Sequence, residues 1–206
     1  MHDATTQDLT EPTERSSLRT HTHLAITLVW SAAEATREGE VLFLPRRGRP
    51  HQRIIGRGNE GACWLRQRPG EIEERGSLSD PKLSRRHLEV NRLSDESVEI
   101  RNMGQAPLTN AEGEEVSRCA LGVGQVFGIK GRALFHVGLR PAHLAPSPHE
   151  SVYPKPEFGQ VDRFGIVGES PAIWQLREAI YTIAQHDQHT LLFGPSGSGK
   201  ELAARA

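Results

Sequence analysis

Between residues 23 and 137 the chain carries eight short apolar runs, parted by Gly, Pro, Asn, Asp and Ser, which break helices and form turns. Leu24, Ile26, Leu28 and Trp30 alternate with Ala25, Thr27 and Val29, a period of two with an apolar second face. Runs at 40–44, 53–57, 62–65, 88–90, 97–100, 126–129 and 133–137 follow. From about 40 to 140 no stretch repeats its apolar residues at helical spacing. The pattern predicts a mainly β fold, an antiparallel β-sandwich. Residues 67–79 read as a polar insertion within it.

A different signal stands near residue 200. Thr190-Leu191-Leu192-Phe193 reads as a buried strand, and Leu202-Ala203-Ala204-Arg205-Ala206 as the first turns of a helix. Between them lies Gly194-Pro195-Ser196-Gly197-Ser198-Gly199-Lys200-Glu201. Strand, glycine-rich loop, lysine and helix form the unit that cradles a nucleoside triphosphate. Glycines let successive backbone N–H groups turn toward phosphate oxygens, and a lysine ammonium meets the β- and γ-phosphates. The nucleotide-binding candidates are therefore Gly194, Ser196, Gly197, Ser198, Gly199, Lys200 and Glu201. Glu201 stands where the general motif places the Ser or Thr that holds Mg2+.

The context explains Glu201. Phe164-Gly165-Ile166-Val167-Gly168-Glu169-Ser170-Pro171, a helical stretch, and a loop ending Gly-Lys-Glu together resemble the start of the AAA+ domain of sigma-54-dependent transcription activators. That family typically has Gly-Glu-Ser-Gly-Thr-Gly-Lys-Glu at the loop; Pro195 and Ser198 depart from it. The resemblance covers about the last 45 residues and implies ATP and Mg2+ as ligands, sigma-54 RNA polymerase as partner, and assembly into homo-oligomeric rings. Such a domain needs roughly 200 residues. No acidic pair, arginine finger or Gly-Ala-Phe-Thr-Gly-Ala loop follows Lys200 in this sequence, so hydrolysis is not expected of these residues alone. Before the loop, 171–185 reads as a helix with Ser170 as N-cap, Pro171 at its first position, and Ile173, Leu176, Ile180 and Ile183 on one face.

Within the β region, Gly56-Arg57 ends one run and Ser84-Arg85-Arg86-His87 opens another. This pair of motifs resembles the forkhead-associated family, whose β-sandwich binds phosphothreonine with loops at one end. The resemblance spans roughly 23–140 and implies Arg57, Ser84 and Arg85 as phosphopeptide-binding residues, with His87 as a structural brace of their loop. The chemistry suits these residue types: a phosphothreonine is nearly dianionic, and guanidinium and hydroxyl groups donate to its oxygens. The family's third element departs. Where an Asn-Gly pair belongs, the chain reads Asn102-Met103-Gly104-Gln105-Ala106-Pro107-Leu108-Thr109-Asn110, with Asn110 the nearest counterpart. The implied partner is a phosphothreonine protein or a Ser/Thr kinase.

Composition bounds the remainder. With 25 Lys+Arg against 26 Asp+Glu, no general nucleic-acid binder is indicated, and direct DNA binding is not evident. Arg46, Arg47, Arg49 and Arg53 read as a solvated basic loop. The two cysteines, Cys63 and Cys119, have neither metal spacing nor a disulfide framework, which fits a cytoplasmic location. His21 and His23 are too few for a metal site, and no run approaches a membrane span. The expected organisation is a disordered tail over 1–20, with Thr5, Thr6, Thr13, Ser16 and Ser17 exposed to phosphorylation; the sandwich over 21–140; a Pro-rich linker over 141–160; and the AAA+ fragment over 161–206. Two functions follow from that order: a sigma-54-type regulator with a phosphothreonine sensor over an ATP-binding module, or a truncated phosphopeptide adaptor without ATPase activity.

Overall fold

The computed structural model describes residues 22–44, 52–58, 62–149, 154–187 and 189–206. The expected tail, the basic trio at 46, 47 and 49, and His21 lie outside them. Among the described residues twelve strands form: β1 (Thr22–Ser31), β2 (Val41–Phe43), β3 (Gln52–Ile55), β4 (Trp64–Arg68), β5 (Glu71–Arg75), β6 (Leu88–Arg92), β7 (Ser97–Asn102), β8 (Leu108–Thr109), β9 (Glu115–Val116), β10 (Arg118–Gly122), β11 (Val126–Ile129) and β12 (Ala133–Pro141). Two helices follow, α1 (Pro171–Ala184) and α2 (Lys200–Arg205).

The strands form two antiparallel sheets, β5-β4-β2-β1-β12-β11-β8-β9 and β10-β7-β6-β3. The mainly β, antiparallel fold is as the spacing predicts. The long β1–β12 ladder runs from Thr22↔Pro141 to Ser31↔Ala133, with a bulge between Leu28 and Trp30. That bulge shifts the alternation and leaves Val29 and Trp30 both exposed. Leu24, Ile26 and Leu28 face Ile55, Leu88, Val90, Val98 and Ile100 across a core that also holds Trp64, Phe127 and Phe135. Burying each large side chain stabilises the fold by about 1.5–3 kcal/mol. Ala25 and Val41 alternate onto the other face and are fully buried as well. The eight-stranded sheet is thus covered on both sides over part of its area.

Three expectations are corrected. The polar insertion at 67–79 contains β5, paired with β4 from Trp64↔Arg75 to Arg68↔Glu71 and turned at Gly70 with φ +72°. It is an edge strand, exposed along nearly all its length, so no apolar alternation marks it; its charges blunt the free edge. Thr190–Phe193 is not a strand: no described strand lies beside it to take its backbone bonds, and Leu191 and Phe193 are 79% and 88% exposed. The helix at 171–184 forms with Ser170 accepting from the Ile173 N–H at 3.2 Å, as its cap chemistry predicts. Its buried residues, however, are Trp174 and Arg177; Leu176 and Ile183 are exposed. The strap of residues 155–170 takes the place of an apolar partner, and it offers carbonyls and carboxylates.

Candidate functional site

The end of β3 and the loop before β6 are pressed together. Arg57 N–H donates to the Ser84 carbonyl (3.2 Å), Gly58 N–H to the Arg85 carbonyl (3.1 Å), and His87 N–H to the Ile55 carbonyl (3.0 Å). Only glycine permits this approach: a Cβ on Gly56 would sit 2.4 Å from the Arg85 carbonyl oxygen. Arg57 Nε donates to the Leu83 carbonyl at 2.7 Å, which fixes the root of the guanidinium while the residue stays exposed. Arg85 is exposed beside it and Ser84 is half-buried. Two cations and one hydroxyl therefore share one loop end, with backbone held on both sides.

His87 does the holding. It is fully buried, its Nδ1 accepts the Ser84 N–H at 3.0 Å, and its Nε2 lies 3.0 Å from the Ala106 carbonyl. A backbone N–H can only donate and a carbonyl can only accept, so the ring is the neutral tautomer with its proton on Nε2. Burial pushes its pKa below the ordinary value, against the opposing pull of the Ala106 carbonyl and of Asp80. The His87 carbonyl in turn accepts from Met103 N–H (2.8 Å) and Gly104 N–H (3.0 Å). One side chain and its backbone thereby tie the Ser84 loop to the loop after β7.

That third loop differs from its sequence reading. Asn110 is spent on its own turn, where Oδ1 accepts from Glu112 N–H and Glu114 N–H at 3.1 and 2.8 Å. The asparagine that shapes the loop near His87 is Asn102: Nδ2 donates to the Ala106 carbonyl and Oδ1 accepts the Gly104 N–H, both at 3.1 Å. Sequence reasoning passed over Asn102; its position two residues before Gly104, as in an Asx turn, was the available signal.

At the other motif, Gly197 and Gly199 take φ of +76° and +80°, values that favour glycine. A Cβ on Gly194 would lie 2.7 Å from the Ser198 hydroxyl. Lys200 Nζ donates to the carbonyls of Gly194 and Pro195 at 2.9 and 2.6 Å, so the ammonium caps the loop it follows. Ser196, Ser198 and Glu201 are exposed. These residue types and backbone conformations fit a triphosphate: the lysine would exchange carbonyls for phosphate oxygens. Glu201 points along α2 to Arg205 at 4.0 Å.

Between the two sites, the strap is bolted to the sandwich. Glu169, 4% exposed, accepts from Gly159 N–H (2.8 Å) and from Trp174 Nε1 (3.1 Å), while its carbonyl accepts from Arg140 (2.8 Å). Burial pulls the Arg140 pKa down to about 10, with Glu169 opposing. Arg177 pairs with buried Asp162 at 3.0 Å and donates to the carbonyls of Ile166 and Gly168.

The Sigma-54 interaction domain family matches residues 166–206. The Nif-specific regulatory protein of Bradyrhizobium diazoefficiens is 45% identical over 53 residues, 26% of this chain and 9% of that protein. The transcriptional regulatory protein ZraR of Salmonella typhimurium is 48% identical over 44 residues, 21% of this chain and 10% of that one. The chain thus spans about a tenth of the length of these curated relatives. Among solved structures, the FHA domain of the CT664 protein from Chlamydia trachomatis covers 56% of this chain and 96% of its own, with 19% identity and a TM-score of 0.40. No helix of the described residues is long and apolar enough to cross a membrane.

Proposed function

We propose that this chain is the sensor and ATP-binding start of a sigma-54-type transcription regulator, in which a phosphothreonine-reading sandwich governs an ATP-binding module. The observation that carries the reading is the seating of Gly56–Gly58 on Ser84–Arg85, which groups Arg57, Ser84 and Arg85 at one loop end with His87 bracing them. A near-dianionic phosphate takes charge-assisted donors from both arginines and a hydroxyl donor from Ser84. The family match at 166–206 supports the second half. There Gly194, Ser196, Gly197, Ser198 and Gly199 would hold the phosphates of ATP with their backbone, and Lys200 would supply charge. ATP, with Mg2+, supplies the energy-yielding phosphoryl group to such modules. The implied partners are a phosphothreonine protein or the Ser/Thr kinase that makes it, and sigma-54 RNA polymerase in a form carrying the whole module, in the cytoplasm and as a ring.

The test is binding of the 206-residue chain to a degenerate phosphothreonine peptide pool, against the same pool unphosphorylated. Retention of the phosphorylated pool alone, abolished in Arg57→Ala, supports the sensor. Equal retention of both pools refutes it. A second reading, a phosphopeptide adaptor without ATPase activity, draws on the exposed Leu191 and Phe193 beside the phosphate loop. ATP hydrolysis that depends on Lys200, in a form carrying the whole module, would rule it out.

A further inference from the structure

A fully buried glutamate lies in the sandwich with no part in either site. Glu40 accepts from Arg37 Nε at 2.7 Å through one oxygen and from Arg66 Nε at 3.1 Å through the other. Isolated buried ion pairs are poor stabilisers, because desolvation offsets most of the attraction. This cluster is not isolated: each of its ends touches a different functional segment.

Toward the phosphate loops, Arg37 donates to the carbonyls of Ser77 and Gly76, both at 2.7 Å. The Ser77 hydroxyl donates to the Gly58 carbonyl at 2.5 Å, and Gly58 N–H is bonded to Arg85. Toward the strap, the Arg66 guanidinium lies 4.7 Å from the centre of the Phe158 ring. Phe158 precedes Gly159, whose N–H is held by Glu169. A Cβ on Gly39, the residue before Glu40, would meet both Glu169 (3.3 Å) and Phe158 (3.5 Å). Residues 58, 77, 37, 40, 66 and 158 are thus joined by direct contacts from the Gly58–Arg85 pairing to the strap.

We infer that the Arg37–Glu40–Arg66 cluster couples phosphothreonine binding at Arg57 and Arg85 to the docking of the strap that opens the ATP-binding module. The inference rests on the phosphothreonine reading given above. Its physical content is that a phosphate drawn onto Arg57 and Arg85 resets the Gly58–Arg85 pairing. Gly58 moves Ser77, and the rigid fork of Arg37 transmits that displacement to Glu40 and Arg66. Coupling of this kind is reciprocal: loosening the strap changes phosphopeptide affinity by the factor with which the phosphopeptide loosens or tightens the strap. Contact alone does not establish coupling, so the energies must be measured.

The experiment is hydrogen exchange of strap peptides over 155–170 in the 206-residue chain, with and without the degenerate phosphothreonine peptide pool. In the wild type, pool binding is expected to change strap exchange at least threefold. In Arg66→Met the pool is still retained and that response disappears. Phe158→Ala, which removes the strap's side of the Arg66 contact and changes no sandwich residue, is expected to shift pool affinity at least threefold. Coupling through this cluster is overturned if the pool binds and strap exchange stays constant, if Arg66→Met keeps the full response, or if Phe158→Ala binds the pool as the wild type does. Failure of the wild type to retain the pool at all is a different result: it removes the phosphothreonine reading, and the coupling falls with it.

Discussion

His87 Nδ1 accepts the Ser84 N–H at 3.0 Å, and this bond fixes the protonation state of a fully buried ring at the centre of the candidate site. A proton added to Nδ1 would face an N–H that cannot accept it.

The first prediction is therefore a pH dependence. Burial holds the folded pKa of His87 below its ordinary value of 6.5, although the Ala106 carbonyl and Asp80 pull the other way. The unfolded state then binds the proton first. The contribution of neutral His87 is fully present above about pH 6.5 and is lost as pH falls through the folded pKa. Thermal melts between pH 8 and 5 should show Tm falling on the acid side, and His87→Ala should flatten that slope while lowering Tm throughout. A Tm insensitive to pH over this range would refute the neutral-ring assignment.

Close packing predicts intolerance at two glycines. A Cβ on Gly104 would lie 2.6 Å from three atoms of the His87 ring, and one on Gly56 would lie 2.4 Å from the Arg85 carbonyl. Neither obstacle is the free end of a flexible chain. Gly104→Ala and Gly56→Ala should each cost about 2–3 kcal/mol, as overpacked sites do. Gly76→Ala, whose Cβ meets nothing within 4 Å, serves as the control in denaturant titrations.

Much of this was readable from residue types. The inner strands announce themselves because Leu24, Ile26 and Leu28, or Val98 and Ile100, alternate on one buried face. Gly56-Arg57 and Ser84–His87 were marked by spacing, and the structure brings them together. What stayed illegible at the edge strand and the helix had one physical cause: a partner made of polar groups. The edge strand β5 has no apolar face because it needs none. Helix α1 buries Trp174 and Arg177 instead of its leucine and isoleucines because the strap it meets supplies Asp162, Glu169 and carbonyls. Local apolar period cannot reveal a face whose complement is ionic. The Arg37–Glu40–Arg66 cluster is invisible for a related reason: Arg37 and Glu40 are neighbours in sequence, but Arg66, on β4, is 26 residues from Glu40.

For the phosphate donors, Arg57→Ala and Arg85→Ala should each weaken phosphothreonine peptide binding roughly 10–100-fold, the scale of a lost hydrogen bond to a charged group. Arg57→Ala also removes the bond to the Leu83 carbonyl, so it should be the worse of the two. Arg57→Lys keeps charge but not the fork, and its affinity should lie between. Wild-type affinity of all three for a phosphothreonine peptide, measured by fluorescence anisotropy, would place the phosphate elsewhere.

The last prediction concerns the bolt between the two halves. Glu169 gives acceptors to Gly159 and Trp174, and its charge faces Arg68 at 3.8 Å as well as Arg140. Arg68 Nε and Arg140 Nε are buried without a hydrogen bond of their own, so the carboxylate is the counter-charge that makes their burial tolerable. Glu169→Ala should release the strap, since removing one partner of a buried pair costs about 3–5 kcal/mol. Glu169→Gln keeps the shape and one acceptor and should cost less. Trp174, 5% exposed in the intact protein, reports the event. In a Trp30→Phe background its emission should move to longer wavelength in Glu169→Ala, while Trp64, wholly buried in the sandwich core, holds its position and the β-sheet circular dichroism is kept. An unshifted Trp174 emission in that variant would show that the strap is held by its other contacts, Asp162–Arg177 above all, and that Glu169 is dispensable to the junction.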